Sequence, residues 1–121
     1  MDPKEVVAAA LGAFNDHDLD RLMAFFASDY RLTVHNRAKL RLDSREAARA
    51  VFAAEFAEAP DRMSRIERLL ADGPFVTVQC RDQLTHPQLG RLDVPVAMIF
   101  EVRDGQIVGC DYYQDAAYWS P

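Results

Sequence analysis

The sequence predicts an α+β fold in which helices come first and a sheet of hairpin-connected strands follows, with helices covering one face. Three observations carry that prediction. Apolar residues recur at helical spacing through the first half of the chain. From Met63 onward the period changes to that of strands. Near the end, Asp104-Gly105 separates two strongly apolar runs, a strong short-range hairpin signal.

The elements follow in order. Asp2-Pro3 sets a capping residue before a proline at the first helical position. Val6, Val7, Ala10, Leu11 and Phe14 then form one stripe. Asn15 to Asp18 reads as a turn, and a short second helix carries Leu19, Leu22, Met23 and Phe26 on one side. Tyr30 to Asn36 alternates, with Tyr30, Leu32, Val34 and Asn36 on the apolar face and Arg31, Thr33 and His35 opposite. Arg37, Lys39 and Arg41 alternate with apolar residues, as in an edge strand or a loop with a solvated face. Asp43-Ser44-Arg45-Glu46 reads as a capping box with Asp in the capping place. The helix it opens carries Ala48, Val51, Phe52 and Phe56, and Pro60 stops it. Four strands are expected at Met63–Ala71, Phe75–Thr85, Arg91–Arg103 and Gln106–Asp115.

Composition bounds the function. The 121 residues, 50% hydrophobic and 27% charged, suit one globular domain over 1–121. A net charge of −5 disfavours nucleic acid, which asks for clustered Lys and Arg. No apolar run approaches the roughly 20 residues of a spanning helix, and the N-terminus lacks the order of a signal peptide. A cytoplasmic protein with no membrane partner is expected. Cys80 and Cys110 read as separate buried or half-buried thiols, and the histidines His17, His35 and His86 show no zinc-ligand spacing. Neither a metal nor an organic cofactor is implied.

Three stretches, Phe14 to Phe26, Asp43 to Phe52 and Phe100 to Val108, resemble the nuclear transport factor 2-like (NTF2-like) superfamily and its SnoaL-like members. The resemblance covers nearly the whole chain. It implies a strongly curved antiparallel or mixed sheet wrapped on three N-terminal helices, like a cone with a pocket at its open end. It also implies a homodimer, because the outer face of such a sheet often pairs. The superfamily hosts isomerases, hydrolases, cyclases and carriers, so the fold does not settle the function.

A narrower resemblance is to limonene-1,2-epoxide hydrolase-like proteins. Val34-His35-Asn36 is similar to their Tyr-His-Asn, and Gly109-Cys110-Asp111-Tyr112-Tyr113-Gln114 to their last-strand motif. The resemblance implies that Asp111 is a general base, that Asn36 helps hold a water, and that a protonated second carboxyl and a bridging Arg complete the site. The middle strand, Val78-Gln79-Cys80-Arg81-Asp82-Gln83, departs from the family's Arg-x-Asp. Adjacent residues of a strand point to opposite faces. Either Arg81 faces the pocket with Gln83 in the acid's place, or Asp82 faces it with Cys80 in the arginine's place. The apolar alternation of Val76, Val78, Cys80 and Leu84 favours Asp82, and the family spacing to Pro95 favours Arg81. Ketosteroid isomerase-like residues are not found: the aligned positions are Ala10, Val34 and Met98.

The candidate catalytic residues are therefore Asp111, Arg81, Asn36 and Asp82. The candidate ligand-binding residues are Val34, Phe52, Gln83, Met98 and Tyr113. Together they describe a small-molecule enzyme using general acid–base chemistry on an apolar, cyclic or polyketide-type metabolite, by an epoxide hydrolase-like or isomerase/cyclase-like reaction. The alternative is a ligand-binding or dimerisation module that keeps the cone without turnover.

Overall fold

The computed structural model describes residues 1–35, 40–115 and 117. Helix α1 (Pro3–Asn15) opens on a reciprocal capping box. Asp2 accepts from the Glu5 amide while the Glu5 carboxylate accepts from the Asp2 amide. Helix α2 (Leu19–Met23) is capped by Asp18, and α3 (Arg45–Glu58) by Ser44. The expected cap at Asp43 is corrected here. The Ser44 hydroxyl reaches the Ala47 amide at 3.1 Å, while Asp43 turns to the Arg41 guanidinium. Such a cap contributes about 1 kcal/mol to helix stability.

Six strands form one curved, open sheet in the order β2-β1-β6-β5-β4-β3. They are β1 (Phe26–Val34), β2 (Leu40–Leu42), β3 (Met63–Asp72), β4 (Phe75–His86), β5 (Gly90–Arg103) and β6 (Gln106–Gln114). β1 and β6 pair in parallel and the other neighbours antiparallel, so the sheet is mixed. One feature differs from expectation. β1 begins at Phe26 rather than Tyr30, because the chain leaves the helix after Met23 and Phe26 is buried against the Tyr30 ring. The short edge strand β2 carries Arg41, and Arg37 and Lys39 lie outside the described residues.

One face of the sheet, the inner one, packs on the helices: α1 touches β3, β4, β5 and β6, and α3 touches β1. The core between them contains Val6, Leu11, Val76, Val78, Val94, Phe100 and Ile107. Cys80 and Cys110 are both free and buried. Among the described residues no helix is long and apolar enough to cross a membrane.

One irregularity governs the site. Across the β5–β6 hairpin, Val102 pairs with Ile107 but Glu101 pairs with Gly109, leaving Val108 as an extra residue. Such a bulge reverses the alternation beyond it. Ile107 faces the core; after the bulge, Cys110, Tyr112 and Gln114 face inward, while Asp111 and Tyr113 are exposed.

Candidate active site

Between α3 and the inner face of the sheet lies a cavity of about 160 Å³. Its walls are largely apolar, including Leu11, Phe14, Val34, Phe52, Met98 and Phe100. Polar side chains interrupt them, among them Glu55, Arg62, Ser64, Asp82, Tyr112 and Gln114.

Asp82 is the centre of that group. On β4 the residues Val76, Val78, Cys80, Asp82 and Leu84 all point inward and are buried. Parity therefore carries a carboxyl into the core at an otherwise apolar position. It is only 8% exposed. The Ser64 hydroxyl, on the paired position of β3, donates to its Oδ1 at 2.6 Å. The Tyr112 hydroxyl donates to its Oδ2 at 2.6 Å. The Ser64 backbone is fixed from the other side by Asn15 at the end of α1. Asn15 donates to the Ser64 carbonyl at 2.9 Å and accepts from its amide at 2.7 Å.

The electrostatics follow from burial. Desolvation raises the Asp82 carboxyl above the usual carboxylate range, and the hydrogen bonds from Ser64 and Tyr112 and the charge of Arg62 only partly oppose it. Burial, and then the Asp82 charge, hold the Tyr112 phenol well above its ordinary value. Burial pushes the Cys80 thiol up to about 12, which leaves it inert as a nucleophile.

Arg62 is a buried cation beside this carboxyl, with its side chain 4% exposed. Its Nε donates to the Glu55 carbonyl and its Nη2 to Glu58, both at 3.3 Å. Its Nη1 lies 3.6 Å from the Glu55 carboxylate. Among the described residues, no group of three or more His, Cys, Asp or Glu could hold a metal ion.

The candidates read from the sequence divide between the two faces. Asp82, Val34, Phe52 and Met98 line the cavity. Asp111, Arg81, Gln83 and Tyr113 do not, and each placement in the pocket is corrected for a stated reason. Asp111 and Tyr113 lie beyond the bulge and point outward. Asp111, its side chain 52% exposed, pairs with His35 Nε2 at 2.7 Å, and the His35 ring stacks on Tyr113. Arg81 and Gln83 alternate with Asp82, so both face outward toward Asp93 on β5. Arg81 approaches it at 2.7 Å and holds the Asp93 carboxyl below its usual range. Asn36 lies outside the described residues.

Tyr112, Ser64, Arg62 and Glu55 are the residues that the sequence reading passes over. Glu55 had a readable signal: it falls on the stripe of Ala48, Val51 and Phe52, where a carboxylate interrupts an apolar face. Tyr112 had none, because the bulge that turns it inward is not marked by residue type.

Residues 7–110 match the family of the SnoaL-like domain. Among solved structures, the chain is similar to IdmH, a candidate polyketide cyclase from Streptomyces antibioticus. The TM-score is 0.85 at 23% identity, over 98% of this chain and 95% of that one. A candidate SnoaL-like polyketide cyclase from Shewanella denitrificans superposes with a TM-score of 0.87 at 12% identity, over 97% and 93% of the two chains. An LEH-like epoxide hydrolase of M. tuberculosis superposes with 0.82 at 25% identity, over 96% and 84%. No curated protein matches in sequence.

Proposed function

The chain belongs to the SnoaL-like domain family, and from that premise we propose that it is an enzyme of the isomerase or cyclase type acting on a small, largely apolar cyclic metabolite. The observation that carries this reading is the Asp82 carboxyl, buried on the cavity wall and held between the Ser64 and Tyr112 hydroxyls. A carboxyl whose burial favours the protonated form is suited to act as a general acid. Protonated Asp82 donates to the Tyr112 oxygen, and the Tyr112 hydrogen then turns to the cavity, since hydroxyl hydrogens rotate to suit. The pair would donate to a carbonyl oxygen of the bound ring and favour its enol.

Size narrows the substrate. An apolar cavity of about 150 Å³ accepts one benzene-sized ring, so the enclosed volume here suits a single ring, with any further part of the molecule toward the opening. Hydrolysis of an epoxide through Asp111 is not part of this reading, because that side chain faces away.

The reading is tested with wild type and Asp82→Asn on a panel of cyclic ketones, epoxides, lactones and enol esters, beside thermal-shift binding. The expected result is turnover by wild type and its loss, by at least about a hundredfold, in Asp82→Asn with the fold intact. Binding without turnover across the panel would favour the non-catalytic module instead. We also propose that the protein is a homodimer paired through the outer face of the sheet, where Phe75, Ile99 and Tyr113 are exposed.

A further inference from the structure

We propose that Glu55 is the base of this site, a second carboxyl supplied by helix α3 and partnered with Asp82 across the cavity. The inference rests on the acid role of Asp82 and goes beyond it by naming the group that takes the substrate's proton.

Four observations place Glu55 there. It lines the same cavity as Asp82, from the opposite wall. It sits at a position of α3 that would otherwise continue an apolar stripe. Its carboxylate forms an ion pair with Arg62, whose charge also acts on Asp82. The charges of both carboxyls act on the Tyr112 phenol, whose hydroxyl donates to Asp82. The side chain of Glu55 is 37% exposed, whereas Asp82 is 8% exposed, so water reaches the first carboxyl more readily than the second.

The two carboxyls differ in surroundings, which is how one site supplies an acid and a base at one pH. Asp82 is desolvated among apolar strands. Glu55 is part solvated and ion-paired. Among the described residues, the charged and titratable groups around them include Glu58 on α3, Arg62 before β3, Cys80 on β4, His86 beside Glu58 at 3.8 Å, and Tyr112 on β6.

The step balances without a further reagent. The Glu55 carboxylate takes hydrogen from the carbon beside the carbonyl: the C–H bond breaks, and an O–H bond forms on Glu55. The electron pair passes to the carbonyl oxygen, which takes the Tyr112 hydrogen while Asp82 passes its own proton to Tyr112. Collapse of the enol reverses the transfers, returning a proton to Asp82 through Tyr112. The proton on part-exposed Glu55 exchanges with water, and Glu55 then delivers a solvent-derived proton to the same or a conjugated carbon.

The test follows exchange of ring hydrogens for deuterium in D₂O by NMR, with cyclohexanone and 2-cyclohexenone as probes. Glu55→Gln should slow exchange on the order of a hundredfold, with probe binding retained and the base limb of the pH profile lost. Glu55→Asp should restore part of the rate. Thermal melts of each variant separate this from loss of fold. Full-rate exchange by Glu55→Gln, beside an inactive Asp82→Asn, would overturn the role of Glu55 and leave that of Asp82 standing. Full-rate exchange by Asp82→Asn, or none by wild type on either probe, would overturn both.

Discussion

At the residue scale, Asp82 couples the protonation of the cavity wall to the stability of the fold. Its carboxyl is raised on folding by burial, so between its unfolded and folded values the native state binds more protons than the unfolded chain. Its contribution is therefore fully present below the unfolded value and is lost as pH rises through the folded one. Asp82→Asn removes that dependence. Its melting temperature relative to wild type should climb as pH is raised from about 4 toward neutrality, a trend that calorimetry at several pH values checks. A constant difference would show that Asp82 does not titrate above the ordinary range. This residue was legible in the sequence as one of two alternatives, because the strand's apolar alternation placed it inward. Its partners were less so. Ser64 is an ordinary polar residue at the start of a strand until the β3–β4 register sets it opposite Asp82, and Asn15 acts on it from a distant helix end.

At the scale of elements, helix starts, turns and strand periods could be read because each is written locally in the chain. Capping residues mark α1 and α3, and Asp104-Gly105 marks the final hairpin. There both residues adopt positive φ, 51° and 75°, as a tight hairpin turn of this hand requires. Gly105→Val should destabilise the protein by about 1–2 kcal/mol, measured by urea denaturation, with no change in the cavity. The short edge strand β2 was legible only as one of two alternatives, an edge strand or a loop, because three residues are too few to show a period. The faces of β6 escaped it for another reason. Alternation counted from the turn gives Asp111 and Tyr113 to the inside, and only the unpaired Val108 corrects the count.

For the whole molecule, the division between an apolar chamber and a separately furnished outer face decides how copies can meet. The outer face combines exposed Phe75, Ile99 and Tyr113 with Arg31, Glu101 and Asp111, so a twofold pairing could set opposite charges against one another. Sedimentation should show a dimer, and Ile99→Lys should shift it to monomer with the fold retained; a monomeric wild type would refute the pairing. The SnoaL-like architecture was legible at this scale from element order together with three matching stretches, whereas the equipment of the chamber depended on register. The bulge at Val108 carries that dependence into inheritance. Loss of this one residue would regularise the ladder and leave Cys110, Tyr112 and Gln114 on the same face. A residue gained or lost beyond Gly109 would exchange the two faces, bringing one set of side chains into the chamber and sending the other out. Descent could thus alter strand length silently at one point, while the same change a step later would re-equip the protein in a single event.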